Sequence, residues 1–476
     1  MNEFIMTNLN TTTAYGNDEK KNIKMFKKSK TNLLIKELNN IEEIINSKNT
    51  NKNIFDDINY EFCKIKDIRN SIKKMENNNT LDDVELFEIK NFAICSENIK
   101  ENYEKLNIHI EYIKFNTLEE IIEILDPDQL KLPTFRIYDS YSDKIKIIRE
   151  NKRNIENKIF KETSSKTIEK LKKQRLSIVV EEEKEEQIIR NNITNSLKPS
   201  IKDLYKNIKS IGKLDILNSK ADMAIKYNAI KPNINKENKI YFKNLKNPNL
   251  IEILNKQNKN YIPINIDINK KITLITGANM GGKSVSMNTI ALNLFLFQCG
   301  FYVFADEANL CVLDFIYIIS DDMQNMGKGL STFGAEIIKL KEIINLMKIE
   351  DGFIALDEFA RGTNPSEGKI LLKSICKHFK NYNSISLIST HYDEVVDDDI
   401  DHYQVIGLRN VDFNSLKYKI DLNKKQSVNI LQENMDYRLE KVKKDTKVPK
   451  DALNVCTLLG LQDEVIDIAK KHYEGE

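Results

Sequence analysis

The feature that most constrains this chain is a glycine-rich stretch that lies between an apolar run and a helical pattern. The P-loop (Walker A) pattern G-x-x-x-x-G-K-S begins at Gly277 and ends at Ser284. It follows the β-branched run 272–275 and precedes apolar residues at helical spacing over 287–295. Strand, glycine-rich loop and helix form the context in which this pattern binds phosphate groups. The stretch therefore predicts a phosphate-binding loop within an α/β domain.

The residue types of this loop fit the chemistry of a nucleoside triphosphate. Glycines allow backbone N–H groups to approach phosphate oxygens, and the N-terminus of the following helix favours negative charge. Lys283 can reach the β- and γ-phosphates, and the hydroxyl of Ser284 can bind Mg²⁺. A glycine-rich turn with a solvated lysine is the alternative, which the flanking strand and helix disfavour. We therefore expect ATP and Mg²⁺ as cofactors.

Two later apolar runs end in residues that suit hydrolysis. The run 353–356 ends in Asp357, which is placed to hold Mg²⁺, and in Glu358, which is placed to orient an attacking water as general base. The run 385–389 leads through Thr390 to His391, which can donate a hydrogen bond to the γ-phosphate. Each run alone is common, but their order after the glycine-rich loop indicates an ATPase.

The composition of the chain makes several classes of protein improbable for it. Lys and Arg total 73 against 71 Asp and Glu, which gives a net charge of +2. This balance does not favour a protein whose main task is to bind DNA phosphates. A local basic patch is nevertheless compatible with a net charge near zero. The six cysteines form no C-x-x-C pair and have no ligand-like spacing with the five histidines, so no metal cluster is predicted. Without an apolar run of about 18 residues or a signal-peptide pattern, we expect a cytoplasmic protein and no membrane partner.

The chain before the loop has mainly helical periodicity. We expect residues 1–60 to be a helical, partly disordered segment whose first 30 residues are frayed, and residues 61–236 to form a helical core and lever domain. A short charged hairpin is predicted at about 142–200, with its turn near 176–180. Its basic run 166–175 either contacts DNA or a partner, or is a solvated helix face, which is the more common case.

Several separated segments resemble the MutS family of DNA mismatch-repair ATPases, which lies within the ABC-type ATPases. The family elements TGPNMGGKST, STF, DEIGRGT and TH are similar to residues 276–285, 331–333, 357–363 and 390–391, and the segments 211–221 and 451–470 also resemble the family. The resemblance implies an ABC-type P-loop ATPase domain at 237–425. It also implies a C-terminal helical dimerisation segment at 426–476.

The same resemblance implies roles for matched residues. Tyr261 has the place of an aromatic residue that stacks on adenine, although a buried core tyrosine is a nearly equal alternative. Ser331 would act in trans on the γ-phosphate of ATP in the other subunit, so a homodimer and a nucleotide-driven switch are implied. The residues implied to bind phosphates and Mg²⁺ are Asn279, Gly281, Gly282, Lys283 and Ser284.

Departures from the family pattern leave three functions open. Ala278, Val285, Gly334 and Ala360 replace Pro, Thr, Met and Gly, and none of these changes removes a catalytic group. No mismatch-reading domain is identified before the ATPase domain. The first function is a MutS-like ATPase that binds DNA in mismatch repair, with mismatch reading doubtful. The alternative is an ATP-driven factor that reactivates a protein client, the adenosylcobalamin-dependent lysine 5,6-aminomutase. A regulator with negligible turnover is a third reading.

Overall fold

The computed structural model describes residues 2–130, 134–277, 282–319, 332–392, 395–408, 435–442, 451–459 and 461–474. The chain forms two compact units. The helical unit comprises residues 2–23 and 40–222, and the sheet unit comprises residues 24–39 and 223–476 together with residue 1. A mainly helical region is thus followed by an α/β region, as the sequence predicts. The bounds at 60, 236 and 425 stay predictions, since the units divide elsewhere, within a helix that ends at Lys226.

The helical unit contains nearly all helices of the first half of the chain, and two of them, α3 and α10, contribute residues to both units. Their bounds are α1 (Asn2–Asn8), α2 (Ala14–Lys21), α3 (Thr31–Thr50), α4 (Lys52–Lys64), α5 (Arg69–Glu76), α6 (Asp83–Lys105), α7 (Glu119–Leu125), α8 (Asp143–Lys161), α9 (Ser165–Leu197) and α10 (Ile201–Lys226). Apolar residues at helical spacing form the core of this unit, as with Leu86, Ile89 and Phe92 on α6.

The N-terminal segment is ordered, so the expectation that the first 30 residues are frayed is wrong. Phe4, Ile5 and Leu9 are buried. The carboxylate of Asp215 on α10 accepts hydrogen bonds from the backbone N–H groups of Thr12 and Thr13, at 3.1 and 2.7 Å. A buried carboxylate that pairs with backbone donors fixes a segment whose own composition is polar.

The charged hairpin exists, but its turn lies at residues 162–164 and not at 176–180. Helix α9 begins at Ser165 and runs without a break to Leu197. The turn forms where Glu162 accepts hydrogen bonds from the backbone N–H groups of Thr163 and Ser164. Ion pairs between α8 and α9, such as Arg149 with Glu182 and Glu156 with Arg175, show that the helices are antiparallel. The β-branched residues near 178–180 therefore lie within a helix.

The sheet unit contains two sheets. A four-stranded sheet has the order β1-β5-β2-β3, with β1 (Asn233–Asn235), β2 (Ile240–Leu245), β3 (Ile264–Ile268) and β5 (Glu307–Cys311). A six-stranded sheet has the order β10-β9-β4-β8-β7-β6, with β4 (Ile272–Thr276), β6 (Phe315–Ile319), β7 (Gly352–Leu356), β8 (Ile385–Ser389), β9 (Asp401–Gly407) and β10 (Asp436–Lys441). The strands predicted at the apolar runs 272–275, 353–356 and 385–389 are confirmed.

In the six-stranded sheet, β10 pairs with β9 in the antiparallel sense, and all other pairs are parallel. Strands β4, β7 and β8 are buried at every residue. This burial explains why their sequences are continuous apolar runs, because both faces of a parallel sheet are covered by helices. The helices of this region are α11 (Pro248–Lys256), α12 (Lys283–Gln298), α13 (Thr332–Met347), α14 (Pro365–Phe379), α15 (Asp451–Leu458) and α16 (Asp463–Glu474).

Across the described residues, no helix combines the length and the apolar character that are needed to cross a membrane.

Candidate functional site at the carboxyl end of the sheet

The parallel strands of the six-stranded sheet end at one edge, and most of the predicted site residues meet there. Ligands of α/β proteins bind at this edge, because the loops that follow the strands lie side by side. The backbone of Thr390 after β8 donates to Ile275 O of β4 at 3.0 Å, and that of Asp357 after β7 donates to Ile319 O of β6 at 2.8 Å. Since β7 also pairs with β8, the ends of β4, β8, β7 and β6 lie side by side.

The glycine-rich loop leaves β4 at Gly277 and enters α12 at Gly282. Both residues have positive φ, of 134° and 83°, which favours glycine at these positions. A Cβ atom on Gly277 would lie 3.1 Å from Cβ of Val405 on β9, so close packing adds to the need for glycine. Asn279 and Gly281, and also Ser331 of the STF element, lie outside the described residues, and their roles stay predictions.

The side chain of Lys283, the first residue of α12, turns back over the loop. Its Nζ atom donates to Gly277 O at 2.7 Å and lies 3.2 Å from Oε1 of Glu358. The side chain is only 3% exposed. Burial lowers the pKa of Lys283, and the carboxylates of Glu358 and Asp357 oppose that effect. A buried ammonium group at this position can exchange its carboxylate partner for the oxygens of a phosphate group.

Glu358 lies between two cations. Its Oε1 faces Lys283, and its Oε2 accepts from Nη1 of Arg361 at 2.9 Å. The residue has a φ of 47°, in the left-handed region that glutamate rarely adopts. Such backbone strain is concentrated at functional sites, where the surrounding structure maintains it. The predicted general base is therefore held in a fixed and strained conformation.

Ser389, the last residue of β8, connects the two acids and is a site residue that sequence reasoning missed. Its hydroxyl donates to Oδ1 of Asp357 at 2.5 Å and accepts from the backbone N–H of Glu358 at 2.9 Å. Asp357 is buried, and Ser284 is half-buried as the second residue of α12. The only sequence signal for Ser389 is its place two residues before His391.

The loop after Glu358 is held from both sides at Ala360, which has a φ of 64°. Its N–H donates to Oε2 of Glu336 on α13 at 3.1 Å, and its C=O accepts from the hydroxyl of Tyr392 at 3.2 Å. His391 is exposed, and its ring centroid lies 4.4 Å from that of Tyr392. Partial burial lowers the pKa of His391, an effect that Glu358 opposes. The predicted phosphate sensor therefore adjoins the network that fixes this loop.

Tyr261 lies on the side of α12 and is half-buried. Burial raises the pKa of its hydroxyl, which lies near Thr289 two turns after the start of α12. The environment combines a buried hydroxyl with a partly exposed side chain, so the stacking role and the core role both stay predictions.

A buried histidine adjoins the start of the loop. Nε2 of His402 on β9 lies 2.7 Å from Oγ1 of Thr276, the residue before Gly277. Nδ1 of His402 is buried and has no hydrogen-bond partner in the described part of the chain. Burial lowers the pKa of His402 to about 4, so the ring is neutral in the folded protein. The sequence pattern gives this histidine no role, because only the pairing of β9 with β4 brings it to the site.

Residues 273–475 match the family model of MutS domain V. The matched range begins in β4 and contains Lys283, Asp357, Glu358 and His391. This segment belongs to the MutS family. ATPase activity is a property of that family, and the MutS domain V of this chain has the mixed α/β fold described above.

Curated relatives are similar over the same part of the chain. A protein named Endonuclease MutS2 from Acetivibrio thermocellus is 30% identical over 221 residues, which are 45% of this chain and 27% of the relative. A protein named DNA mismatch repair protein MutS from Listeria welshimeri is 31% identical over 213 residues, which are 44% of this chain and 25% of the relative. The chain thus spans about a quarter of the length of the relatives that it matches.

Proposed function

We propose that the MutS domain V of this chain is a P-loop domain that binds and hydrolyses ATP with Mg²⁺, and that hydrolysis switches the conformation of a DNA-binding homodimer. The observation that carries this proposal is the buried Lys283, whose Nζ lies between Gly277 O and the carboxylate of Glu358. A buried ammonium group and a strained carboxylate at the carboxyl end of a parallel sheet are the charges that phosphoryl transfer needs.

The residues present fit a nucleotide and its metal ion. Lys283 would exchange Glu358 for the β- and γ-phosphates, and the backbone of the loop that ends at Gly282 would hold phosphate oxygens. Ser284 and Asp357 supply a hydroxyl and a carboxylate, the hard oxygen ligands that Mg²⁺ prefers. A bound Mg²⁺ would neutralise charge that develops on the phosphates. The Ser389 hydroxyl already fixes Asp357 for that role.

Hydrolysis then uses Glu358 as the general base. When Lys283 turns to the phosphates, Oε1 of Glu358 is released to accept a proton from water. The water oxygen forms a bond to the γ-phosphorus, while the bond from that phosphorus to the β–γ bridging oxygen breaks. His391 would donate a hydrogen bond to the γ-phosphate. Arg361 on Oε2 holds the carboxylate in place during this exchange.

Two substitutions test the ATPase. Lys283→Met should lower both ATP affinity and turnover, and Glu358→Gln should retain ATP while turnover falls by about 100-fold or more. Phosphate release with and without Mg²⁺ measures turnover, and equilibrium dialysis with labelled ATP measures affinity. Lys373→Met, at an exposed lysine of α14, is the matched control. Wild-type turnover in Lys283→Met or Glu358→Gln would contradict the proposal.

The composite homodimer site is tested by mixing two inactive variants. If Ser331 acts on ATP in the partner, a heterodimer of Lys283→Met and Ser331→Ala contains one site without either defect. Random mixing should therefore recover roughly a quarter of wild-type turnover. No recovery, although the variants exchange subunits, would show that each site is complete within one chain.

DNA is proposed as the partner because the relatives are named for mismatch repair and for an endonuclease. The net charge of +2 predicts weak, salt-sensitive binding. Because no mismatch-reading domain is identified, we expect no mismatch preference. Titrations of salt with paired and mismatched duplexes measure both quantities. Pull-down with the ATP-loaded Glu358→Gln protein provides a second test. An aminomutase in that pull-down, with no DNA, would contradict the DNA assignment.

A further inference from the structure

Both ends of the glycine-rich loop contact the pair of strands β9 and β10. A Cβ atom on Gly277 would lie 3.1 Å from Cβ of Val405, and one on Gly282 would lie 2.8 Å from Cδ1 of Tyr437. Val405 on β9 pairs with Leu439 on β10, so the two contacts come from neighbouring positions of one antiparallel pair. The loop is therefore supported where it begins and where it ends.

Tyr437 occupies an irregular part of β10. The register of β10 against β9 shifts between Asp436 and Leu439. Such bulges re-aim side chains and are frequent next to active sites. The neighbouring Arg438 is fixed by Asp436, whose Oδ1 accepts from the backbone N–H and from Nε of Arg438 at 3.0 and 2.9 Å. The bulge is thus held locally, and the half-buried ring of Tyr437 is directed at Gly282.

Gly282 is a sensitive place for such a contact. It has a φ of 83°, precedes Lys283 and is the N-cap of α12, where no side chain caps the helix. Because the backbone here is glycine, its own conformational preference is weak and its neighbours decide the conformation. A ring that packs against Gly282 limits how far the start of α12, and with it Lys283, can move.

We infer that Tyr437 is a positioning residue of the nucleotide site, whose ring holds the end of the glycine-rich loop in the conformation that binds the phosphates of ATP. This inference rests on the proposed function of the loop. A preorganised loop binds its ligand more tightly, because less conformational freedom is lost on binding. Tyr437 therefore sets affinity for the nucleotide and not the rate of the chemical step.

Affinity and turnover of variants separate this role from a merely structural one. Tyr437→Ala should raise the Kd for ATP by about tenfold while kcat at saturating ATP stays near that of the wild type. Tyr437→Phe keeps the ring and should restore wild-type affinity. Tyr437→Leu, which retains apolar bulk, serves if the alanine variant does not fold. Wild-type affinity in the alanine or leucine variant, or loss of kcat alone, would overturn the inference.

A spectroscopic signature is available because the chain has no tryptophan. Tyr437→Trp in the Glu358→Gln background creates a single reporter beside Gly282, and its emission should change when ATP and Mg²⁺ are added. Tyr382→Trp is the matched control, since Tyr382 is half-buried and precedes the amino end of β8, at the opposite edge of the sheet. Equal responses of the two reporters, or none at position 437, would overturn the inference.

The two proposals fail in distinguishable ways. If the wild-type protein binds no ATP in dialysis, the nucleotide site itself is wrong, and the role of Tyr437 is lost with it. If the wild type binds ATP but the variants at position 437 bind it equally well, only the role of Tyr437 is wrong.

Discussion

Nζ of Lys283 and Oε1 of Glu358 are 3.2 Å apart, although the strands that precede these residues, β4 and β7, are not neighbours in the sheet. Strand β8 lies between them, so the ion pair passes over its carboxyl end. Ser389 at that end donates to Asp357 and accepts from the backbone of Glu358. The central strand of the three thus supplies the group that fixes both acids, while the outer two supply the charges.

The first prediction concerns Ser389. Ser389→Ala removes the hydroxyl that orients Asp357 and leaves the backbone N–H of Glu358 without that acceptor. Groups that orient metal ligands and catalytic acids typically contribute 10- to 100-fold, so we expect turnover to fall by about that factor. The dependence of phosphate release on Mg²⁺ concentration should also shift to higher concentrations. Steady-state turnover across a Mg²⁺ titration measures both effects.

Ser386 provides the matched control on the same strand. It is fully buried, but its Oγ has no hydrogen-bond partner among the described residues. Ser386→Ala removes an oxygen of the same type from the same strand, and turnover should stay within about twofold of the wild type. Equal losses in both variants would show that β8 responds to any loss of a hydroxyl, and that Ser389 has no special role.

The second prediction concerns Gly368 on α14. A Cβ atom there would lie 2.4 Å from the hydroxyl oxygen of Tyr392 and 3.1 Å from Ala360 O. Gly368→Ala therefore displaces Tyr392 from its hydrogen bond to Ala360. We expect the free energy of unfolding to fall by about 1–3 kcal/mol, the usual cost of overpacking. Urea unfolding measures the change, and phosphate release shows whether the loop that carries Glu358 is disturbed.

The control for this change is Gly362→Ala, because the nearest atom to a Cβ at Gly362 is 3.7 Å away, an ordinary contact distance. Its unfolding midpoint should stay close to that of the wild type. A loss of stability as large as that of Gly368→Ala would mean that the close contact with Tyr392 is not the cause.

The strands that form the site, and the charged residues that follow them, were predictable from the sequence. The strands β4, β7 and β8 are continuous apolar runs, and each is followed directly by the residues that carry charge: Lys283 through the loop, Asp357 with Glu358, and His391. Because parallel strands end at one edge, their order along the chain was enough to bring these residues together. The structure places Lys283 beside Glu358, as this interpretation requires.

The residues that contact and position these strands and charged groups were not predictable. Ser389, His402 and Tyr437 act through partners that are 32, 126 and 155 residues away in sequence, so only strand pairing and packing reveal them. The order of the polar N-terminal segment depends in the same way on one buried carboxylate on a distant helix. For the hairpin, the β-branched run at 178–180 favoured a turn locally, but ion pairs between α8 and α9 stabilise a continuous helix.

The third prediction concerns that carboxylate. Asp215→Ala leaves the backbone N–H groups of Thr12 and Thr13 without their acceptor. Thr13 is buried, and an unsatisfied buried donor costs about 1–3 kcal/mol, so the segment that includes α1 and α2 should open locally. Hydrogen exchange over residues 2–21 should become much faster. Glu169→Ala is the control, since the pair of Glu169 with Lys173 on α9 is at the surface and should contribute little.

The last prediction is a pH dependence that arises from His402. In the unfolded chain this histidine takes up a proton below its ordinary pKa of 6.5, whereas burial lowers its pKa to about 4 in the folded protein. The unfolded state therefore binds more protons as pH falls from about 6.5 towards 4, and stability is lost over that window. The contribution of His402 between pH 7 and pH 5 is on the order of 2 kcal/mol. His402→Gln should make the dependence of the unfolding free energy on pH shallower by that amount, as urea unfolding at the two pH values would measure. His378→Gln, at an exposed histidine of α14, is the control and should leave the pH dependence of the unfolding free energy unchanged. The same pH dependence in the wild type and in His402→Gln would show that His402 does not remain neutral in the fold.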